Sequence, residues 1–233
     1  MNKIPILLPW GFANCLMSIG FGKWVQSKGY DVEWYIYQLA HGKRILDYFD
    51  EFGIDNVKEV KHVNGRRIVN RDNCLDYLKT QDKPVFTGFY PDCLTLLGWD
   101  HLSTDNSIAI HIRRGDYLNP DIINGFAGNL CETRYFNNIA EKCKGINLPI
   151  KIFSDHLEQV PDKIKDLFPT AEFISKDTIS DFNAISACKV IFTYNSTFSK
   201  AAAWLNTDAT VYYPACSYGR MEIRGGWRGL SIR

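Results

Sequence analysis

Short apolar runs alternate with amphipathic stretches along most of this chain. At the start, residues 3–9 have the pattern of a buried strand, residues 12–29 that of a helix ending at Gly29, and residues 31–37 that of a second strand. Strands that alternate with helices predict parallel sheets covered by helices, because a parallel connection needs a crossover segment. The chain is therefore predicted to open with a βαβ unit.

The alternation restarts near residue 103, after a middle stretch that the pattern does not resolve. Residues 42–53 are predicted to be helical and 85–90 to be a short strand, whereas 56–84 are polar and ambiguous. The restart predicts two lobes, residues 1–102 and residues 103–233. The second lobe is predicted to contain strands at 107–112, 149–155, 171–175, 190–195 and 210–214 and helices at 132–145, 181–189 and 196–206.

Composition places the chain among globular proteins. It has 233 residues, 45% of them hydrophobic, which is enough for one large core or two small ones. The formal net charge is +1 and the basic residues are scattered, which argues against a nucleic-acid-binding face. No apolar run approaches the roughly 20 residues of a membrane-spanning helix, and the N-terminal residues lack the features of a signal peptide. We therefore expect a cytosolic protein with no integral membrane segment, and we make no prediction of its oligomeric state.

The seven cysteines indicate reduced, mostly buried thiols. Their number is odd, and no CxxC or Cys/His ligand spacing occurs, which argues against both a disulfide framework and a zinc site. The only N-glycosylation sequon, Asn195-Ser196-Thr197, coincides with a predicted ligand-binding loop, so a glycan there would block the loop. A secretory route is therefore not expected.

Polar residues follow four predicted strands at their carboxyl ends, where parallel α/β sheets bind ligands. Arginine grips phosphate with two parallel hydrogen bonds, and small hydroxyl residues that open a helix present backbone N–H groups at the positive end of its dipole. Arginines after one strand and a helix start after another predict a clamp for a diphosphate. The four segments are residues 11–14, 111–116, 154–155 and 195–197.

Each of these residues alone also fits a simpler explanation. The two arginines at 113–114 would suit surface ion pairs with Asp116, and residues 195–197 would suit an ordinary helix cap. His111 alone is more often a satisfied core or loop histidine than a ligand. Asp181 alone is most often the N-cap of the helix that follows it.

The combination of motifs resembles the α1,2-fucosyltransferases, glycosyltransferase family eleven. HIRRGDY at 111–117 is similar to the family's HxRRGDY, FSD at 153–155 to its FSDD-like segment, and NSTFSKAAAWLN at 195–206 to its NSSFSWWAAWLN. GFANCLMSIGFGKW at 11–24 is similar to the family's helix opening GGLGNQMFQYAFGRA, and GFY at 88–90 to its GYF. The resemblance covers most of the chain except its polar middle.

The resemblance implies an α/β, GT-B-like fold, with two Rossmann-like lobes, parallel sheets and a cleft between them. The N-terminal lobe would face the acceptor and the C-terminal lobe would hold the nucleotide. It also implies an inverting, metal-independent glycosyltransferase that moves L-fucose from GDP-fucose to a hydroxyl of an acceptor glycan, α1,2 to galactose. The expected partners are a GDP-sugar donor and a glycan acceptor, with no other cofactor.

Site residues follow from the resemblance position by position. Arg113 would hold the diphosphate, while Arg114 and Asp116 would fix the loop or assist it. His111 would contact the nucleotide near the guanine. By similarity to the related α1,6-fucosyltransferases, Asp181 would accept hydrogen bonds from guanine N1 and N2. The remaining donor contacts expected are Asp155, Asn195, Ser196, Thr197 and Phe198, with Ser196 and Thr197 at the β-phosphate.

Catalysis by inversion also needs a base for the acceptor hydroxyl. Asp121 lies where α1,6-fucosyltransferases carry a glutamate, although an aspartate that starts a turn after a proline fits this position equally well. Arg113 and Asp116 complete the expected catalytic set. Trp10 and Asn14 would contact the acceptor or the fucose.

The sequence departs from the family pattern at three places. Ala13 stands where a glycine is usual, His156 where a second aspartate is usual, and Lys200-Ala201 where two tryptophans are usual. The last two flank the expected donor site, so we expect donor chemistry to survive better than acceptor identity. Two alternatives stay open: a transferase of the same fold for another GDP-sugar, and a non-catalytic nucleotide- or sugar-binding module.

Overall fold

The chain folds into two compact units, each of which carries a parallel β-sheet. The computed structural model describes residues 3–8, 11–37, 52–60, 75–76, 79–80, 91–98, 104–119, 132–215 and 225–231. The units are Met1–Trp99 and Asp100–Arg233, whereas the sequence placed the boundary after residue 102. All strand pairs of the described residues are parallel, so the predicted α/β class with parallel sheets is confirmed. The roles predicted for the two units, acceptor side and nucleotide side, stay predictions.

The first unit contains the predicted βαβ opening. Its described sheet has the order β1-β2-β3, and helix α1 connects β1 to β2. All five residues of β1 are apolar and buried. The third strand lies in the stretch whose secondary structure the sequence did not resolve. This short strand is largely polar and exposed, so it has no apolar run that would identify it. The elements are β1 (Ile4–Leu8), α1 (Phe12–Ser27), β2 (Val32–Tyr37) and β3 (Lys58–Val60).

Two glycines allow α1 to pack very closely on its neighbours. A Cβ atom on Gly20 would lie 2.5 Å from the carbonyl oxygen of Cys93, in the 3-10 helix Pro91–Leu97. A Cβ atom on Gly22 would lie 2.0 Å from the indole ring of Trp34, which is 5% exposed on β2. The glycines of this helix are therefore required by packing inside the first unit.

We expect Gly22→Ala to lower the free energy of unfolding of this unit by about 2–3 kcal/mol, because the added methyl group would overlap a buried indole. Urea unfolding followed by tryptophan fluorescence measures the change. Gln26→Ala, on an exposed position of the same helix, is the control and should leave the unfolding midpoint almost unchanged. An unaltered midpoint for Gly22→Ala would contradict the close contact with Trp34.

Within its described residues, the second unit contains a doubly wound sheet of six parallel strands. The strand order is β6-β5-β4-β7-β8-β9, so the chain builds outward from β4 first in one direction and then in the other. The strands are β4 (Asp105–Ile112), β5 (Ile150–Ser154), β6 (Glu172–Ile174), β7 (Cys188–Phe192), β8 (Thr210–Pro214) and β9 (Arg228–Leu230). The α-helices are α2 (Glu132–Cys143), α3 (Asp162–Lys165), α4 (Thr178–Ala187) and α5 (Thr197–Leu205).

The core of the second unit explains why its strands could be predicted. The apolar residues Ile108, Ile110 and Ile112 of β4 are fully buried and pack in one cluster with Tyr135 and Phe136 of α2. Alternate β4 residues face the opposite side of the sheet, where Ala109 is also fully buried. A strand covered on both faces reads as a continuous apolar run, which is the pattern that the sequence displays here.

One predicted helix start is wrong. Helix α4 begins at Thr178, and its N-cap is Asp177, whose carboxylate accepts hydrogen bonds from the backbone N–H groups of Ile179 and Ser180. Asp181 is therefore not the N-cap that its position suggested. Strand β9 was not predicted. The predicted strand at 85–90 and all but the last two residues of the predicted helix at 42–53 lie outside the described residues.

Two expectations about the environment of the chain concern cysteines and membranes. The four cysteines within the described residues are free and buried, which agrees with the predicted thiols. They are Cys15, Cys93, Cys143 and Cys188. Within the described ranges, no helix combines the length and the apolar character that crossing a bilayer requires.

Candidate functional site

The loops that follow β4 and β7 meet at the centre of the second sheet. These strands are neighbours, and the order of the sheet reverses between them. Ligands of open α/β sheets bind at such a switch point, outside the carboxyl ends of the strands. The two loops are in contact, because Tyr117 Oη donates a hydrogen bond of 2.8 Å to the carbonyl oxygen of Asn195. Two of the four segments singled out in the sequence are thereby brought together.

Arg113 is held by carboxylates on two sides and keeps part of its side chain, 31%, exposed. Its Nη2 lies 2.8 Å from Oδ1 of Asp116, to which Nε also donates at 3.0 Å. Its Nη1 lies 3.1 Å from Oδ2 of Asp155. Of the ion pairs weighed from the sequence, the one between Arg113 and Asp116 therefore does form. Since ion pairs this exposed contribute little stability, their main consequence is a fixed orientation of the guanidinium group.

Arg114 points into the protein instead. Its side chain is 2% exposed, and its Nη1 lies 2.6 Å from Oε1 of Glu132, the first residue of α2. The backbone N–H of Arg114 donates to Oδ1 of Asp155 at 2.8 Å. Of the two roles expected for Arg114, this geometry favours fixing the loop over contacting a ligand.

Gly115 completes the tight packing of this loop. Its φ is +58°, and a Cβ atom there would lie 3.1 Å from Oδ2 of Asp155 and 3.0 Å from Cδ2 of His156. Its N–H donates to Oε1 of Gln159 at 3.0 Å. His156, one of the departures from the family pattern, therefore borders the loop directly, with its Nδ1 2.9 Å from Oε1 of Glu158.

The loop after β7 ends in a capped helix. Ser196 is the N-cap of α5 and its Oγ accepts a hydrogen bond from the N–H of Phe198, so the predicted cap is confirmed. Thr197 is the first helical residue, and the first turn of α5, residues 197–200, contains no acidic side chain. The first N–H groups of a helix have no intrahelical partner and lie at the positive end of its dipole. This helix end therefore suits an anion.

His111 packs against the same helix end, and its imidazole ring is neutral. It is 4% exposed, and its ring centroid lies 5.5 Å from that of Phe198. Its Nδ1 has no hydrogen-bond partner among the described residues. Burial, with a smaller contribution from Arg113, lowers the pKa of His111 to about 3. Near physiological pH the imidazole can therefore donate one hydrogen bond and accept another, but it supplies no positive charge.

This lowered pKa predicts an acid-sensitive fold. In the unfolded chain His111 takes up a proton near pH 6.5, whereas in the folded protein it does so only near pH 3. Between these values the unfolded state binds more protons, so stability falls as the pH falls. We expect His111→Gln to remove part of that fall, up to about 1.4 kcal/mol per pH unit. Urea unfolding of both proteins from about pH 7 to about pH 4 measures the difference. Parallel stability curves would show that His111 is not the group responsible.

Asp181 is a buried carboxylate near the same helix end. It is 8% exposed, and its two oxygens accept hydrogen bonds of 3.2 and 3.1 Å from the N–H of Lys176. Burial is the largest influence on the pKa of Asp181 and raises it. The next residue, Phe182, packs edge-on against Phe198 with ring centroids 5.3 Å apart. The start of α4 therefore adjoins the start of α5.

Three further expected residues lie outside the described part of the second unit. Trp10 and Asp121 lie outside the described residues. Asn14 is partly exposed in the first turn of α1, in the first unit. Glu132, Tyr117 and Tyr194 contact the loops of the site but were missed as site residues from the sequence.

The second unit is thus a doubly wound α/β sheet with a candidate ligand site at its switch point. Residues 97–219, more than half of the chain, match the sequence model of the family described as Glycosyl transferase family 11. The chain belongs to this family, as its motifs indicated, and is a glycosyltransferase. The matched residues include both loops of the candidate site. No curated protein matches the chain in sequence.

The structure is similar to solved structures, the first of which supports the fold. A protein from Listeria monocytogenes that carries the name UDP-N-acetylglucosamine 2-epimerase superposes with a TM-score of 0.50 at 11% identity, over 91% of this chain and 79% of that one. A family 9 glycosyl transferase from Veillonella parvula has a TM-score of 0.41 at 9% identity, over 95% of this chain and 69% of that one. Because only 11% of its residues are identical, the first structure shows a similar fold and nothing about function. The predicted GT-B-like α/β class is confirmed.

Proposed function

We propose that this protein is an inverting fucosyltransferase that moves L-fucose from GDP-fucose to a hydroxyl of an acceptor glycan, with α1,2 linkage to galactose as the expected product. Membership of family 11 supports glycosyl transfer. The observation that carries the donor assignment is the contact between the loop of Arg113 and the loop that opens α5, made by Tyr117 and Asn195. A guanidinium group and a helix N-terminus together suit a diphosphate better than either does alone.

In this proposal the diphosphate lies between Arg113 and the first turn of α5, with Ser196 and Thr197 at its β-phosphate. Asp116 and Asp155 orient the guanidinium group through the ion pairs already described. As the bond to fucose breaks, negative charge develops on the departing GDP, and preorganised donors that neutralise this charge lower the barrier. The Arg113 guanidinium group and the helix dipole supply the positive charge that neutralises it, so we propose that the reaction needs no metal.

Guanine recognition is assigned to Asp181. A carboxylate accepts two hydrogen bonds side by side, and guanine presents N1–H and N2–H in this arrangement. The burial of Asp181 beside Phe182 supports a site from which water is excluded. His111 and Phe198, which pack together below the start of α5, are proposed to contact the nucleoside.

The acceptor side rests on the resemblance alone. Asp121 is proposed as the base that removes the proton of the acceptor hydroxyl. Trp10 and Asn14 are proposed to contact the acceptor or the fucose. A cytosolic location is likewise our proposal.

Calorimetric titration of the wild-type protein in EDTA tests the donor assignment. We expect GDP to bind with a Kd of about 1–100 μM, and UDP and ADP to bind at least about 100-fold more weakly, because their bases lack guanine's donor pair. Addition of Mg²⁺ should not tighten GDP binding. Absence of GDP binding, or preference for another base, would contradict the proposal.

A further inference from the structure

The carboxylate of Glu132 joins the two loops from which the proposed diphosphate clamp is built. Its Oε1 lies 2.6 Å from Nη1 of Arg114 and also accepts a hydrogen bond from the hydroxyl of Tyr194. Arg114 directly follows Arg113, and Tyr194 directly precedes Asn195. A single oxygen atom therefore bridges the neighbour of the clamp's arginine and the neighbour of its helix-opening loop.

Burial makes this bridge a strong constraint. The side chain of Arg114 is almost fully buried, and Tyr194 is buried as well. A buried guanidinium that loses its carboxylate is left as an uncompensated charge, which is strongly destabilising. Burial, followed by the nearby Glu132 carboxylate, raises the pKa of Tyr194 far above its usual range, so its hydroxyl keeps its proton and donates. The hydroxyl of Tyr194 is therefore a donor to Glu132 at any ordinary working pH.

The first turn of α2 contacts the same loop at a second point. Tyr135 Oη donates a hydrogen bond of 2.5 Å to the carbonyl oxygen of Thr193, one residue before Tyr194. The rings of Phe136 and Tyr194 stack with centroids 6.3 Å apart. Helix α2 thus braces the end of β7, and its first residue, Glu132, extends that brace to the arginine loop through Arg114.

We propose that Glu132 is a positioning residue that sets the separation between the Arg113 guanidinium and the N-terminus of α5. It acts through Arg114 and Tyr194 and does not contact the donor. A diphosphate has a fixed length, so both ends of a clamp bind it well only when their separation is held in advance. This inference rests on the proposed function, because it concerns the affinity of the site for the diphosphate of the donor.

Hydrogen–deuterium exchange on the ligand-free protein tests the brace without any nucleotide. The variant is Glu132→Gln, which keeps the size of the side chain and removes its charge. We expect amide exchange to rise by roughly tenfold in residues 113–118 and in residues 193–199, and to stay unchanged in residues 136–143 of α2. Glu141→Gln is the control, because Glu141 is in the same helix but forms an exposed ion pair with Lys144.

Other exchange patterns would overturn the proposal. A rise along the whole of α2 would mean that Glu132 merely caps its helix. No rise in either loop would mean that the bridge does not hold them. Tyr194→Phe removes only the hydroxyl and should raise exchange in residues 193–199 more than in residues 113–118; the reverse order would contradict the bridge.

A second measurement separates positioning from general weakening of the site. With Glu132→Gln we expect affinity for GDP to fall by about 10- to 100-fold and affinity for guanosine to stay within about twofold, because only the diphosphate needs both loops. Equal losses for the two ligands would overturn the positioning role. If the wild-type protein binds no GDP, the proposed function fails, whereas the exchange measurement still decides whether Glu132 holds the two loops together.

Discussion

Arg113→Ala should lower the turnover of GDP-fucose by about 1,000-fold or more, with a smaller loss of donor affinity. The guanidinium group is proposed to neutralise charge that develops on GDP as fucose departs, and donors aimed at such charge contribute mainly to turnover. Its fixed geometry between Asp116 and Asp155 means that no rearrangement is needed when that charge appears. GDP release, followed by a coupled assay, measures the effect.

Two further variants sharpen this test. Arg113→Lys keeps the charge but loses the paired hydrogen bonds of the guanidinium group, so its turnover should fall between those of the wild type and Arg113→Ala. Arg134→Ala replaces an exposed arginine of α2 in the same unit and should leave turnover unchanged. Turnover of Arg113→Ala within about threefold of the wild type would remove Arg113 from the catalytic machinery.

Asp181→Asn should exchange the base preference of the site. An asparagine side chain offers one acceptor and one donor, so it mismatches the N2–H group of guanine. We expect GDP affinity to fall by about 100-fold, since a donor left unpaired in a buried site is costly. Xanthosine diphosphate carries a carbonyl oxygen where guanine has its amino group, so its affinity for the variant should rise. Competition against a fluorescent guanine nucleotide measures both changes.

Asp177→Asn is the matched control for this prediction. Asp177 lies four positions earlier on the same element, where it caps α4, and asparagine is an equally good cap. This variant should keep the wild-type preference for GDP. Equal losses of GDP and xanthosine diphosphate affinity in Asp181→Asn would mean that Asp181 supports the fold and does not read the base.

Apolar periodicity predicted most of the fold, because most of the strands are buried runs of branched residues. The exceptions among the strands have a common physical cause. Strands β3 and β9 have three residues each and are mostly exposed, so they lack the apolar run that identifies a buried strand. The start of α4 was missed because residues 177–180, three of which are polar, resemble a loop, although Asp177 supplies the cap that begins the helix there.

The loops of the candidate site were predictable, but their internal contacts were not. The strand-end rule for α/β sheets singles out His111, Arg113 and Ser196 from local pattern alone. The opposite directions of the two adjacent arginines depend on burial, which local sequence does not specify. A buried arginine requires a carboxylate partner, but the partner, Glu132, is supplied by a separate helix and nothing in the local pattern marks it.

Proton NMR of one reaction mixture tests the central claim most directly. The mixture contains EDTA, equal amounts of GDP-fucose, GDP-mannose and UDP-N-acetylglucosamine, and galactose-terminated oligosaccharides. Our account predicts that only GDP-fucose is consumed, that the anomeric proton of a new α-linked fucose appears, and that Arg113→Ala leaves the spectrum unchanged. Consumption of another donor, or GDP-fucose that stays intact, would contradict it.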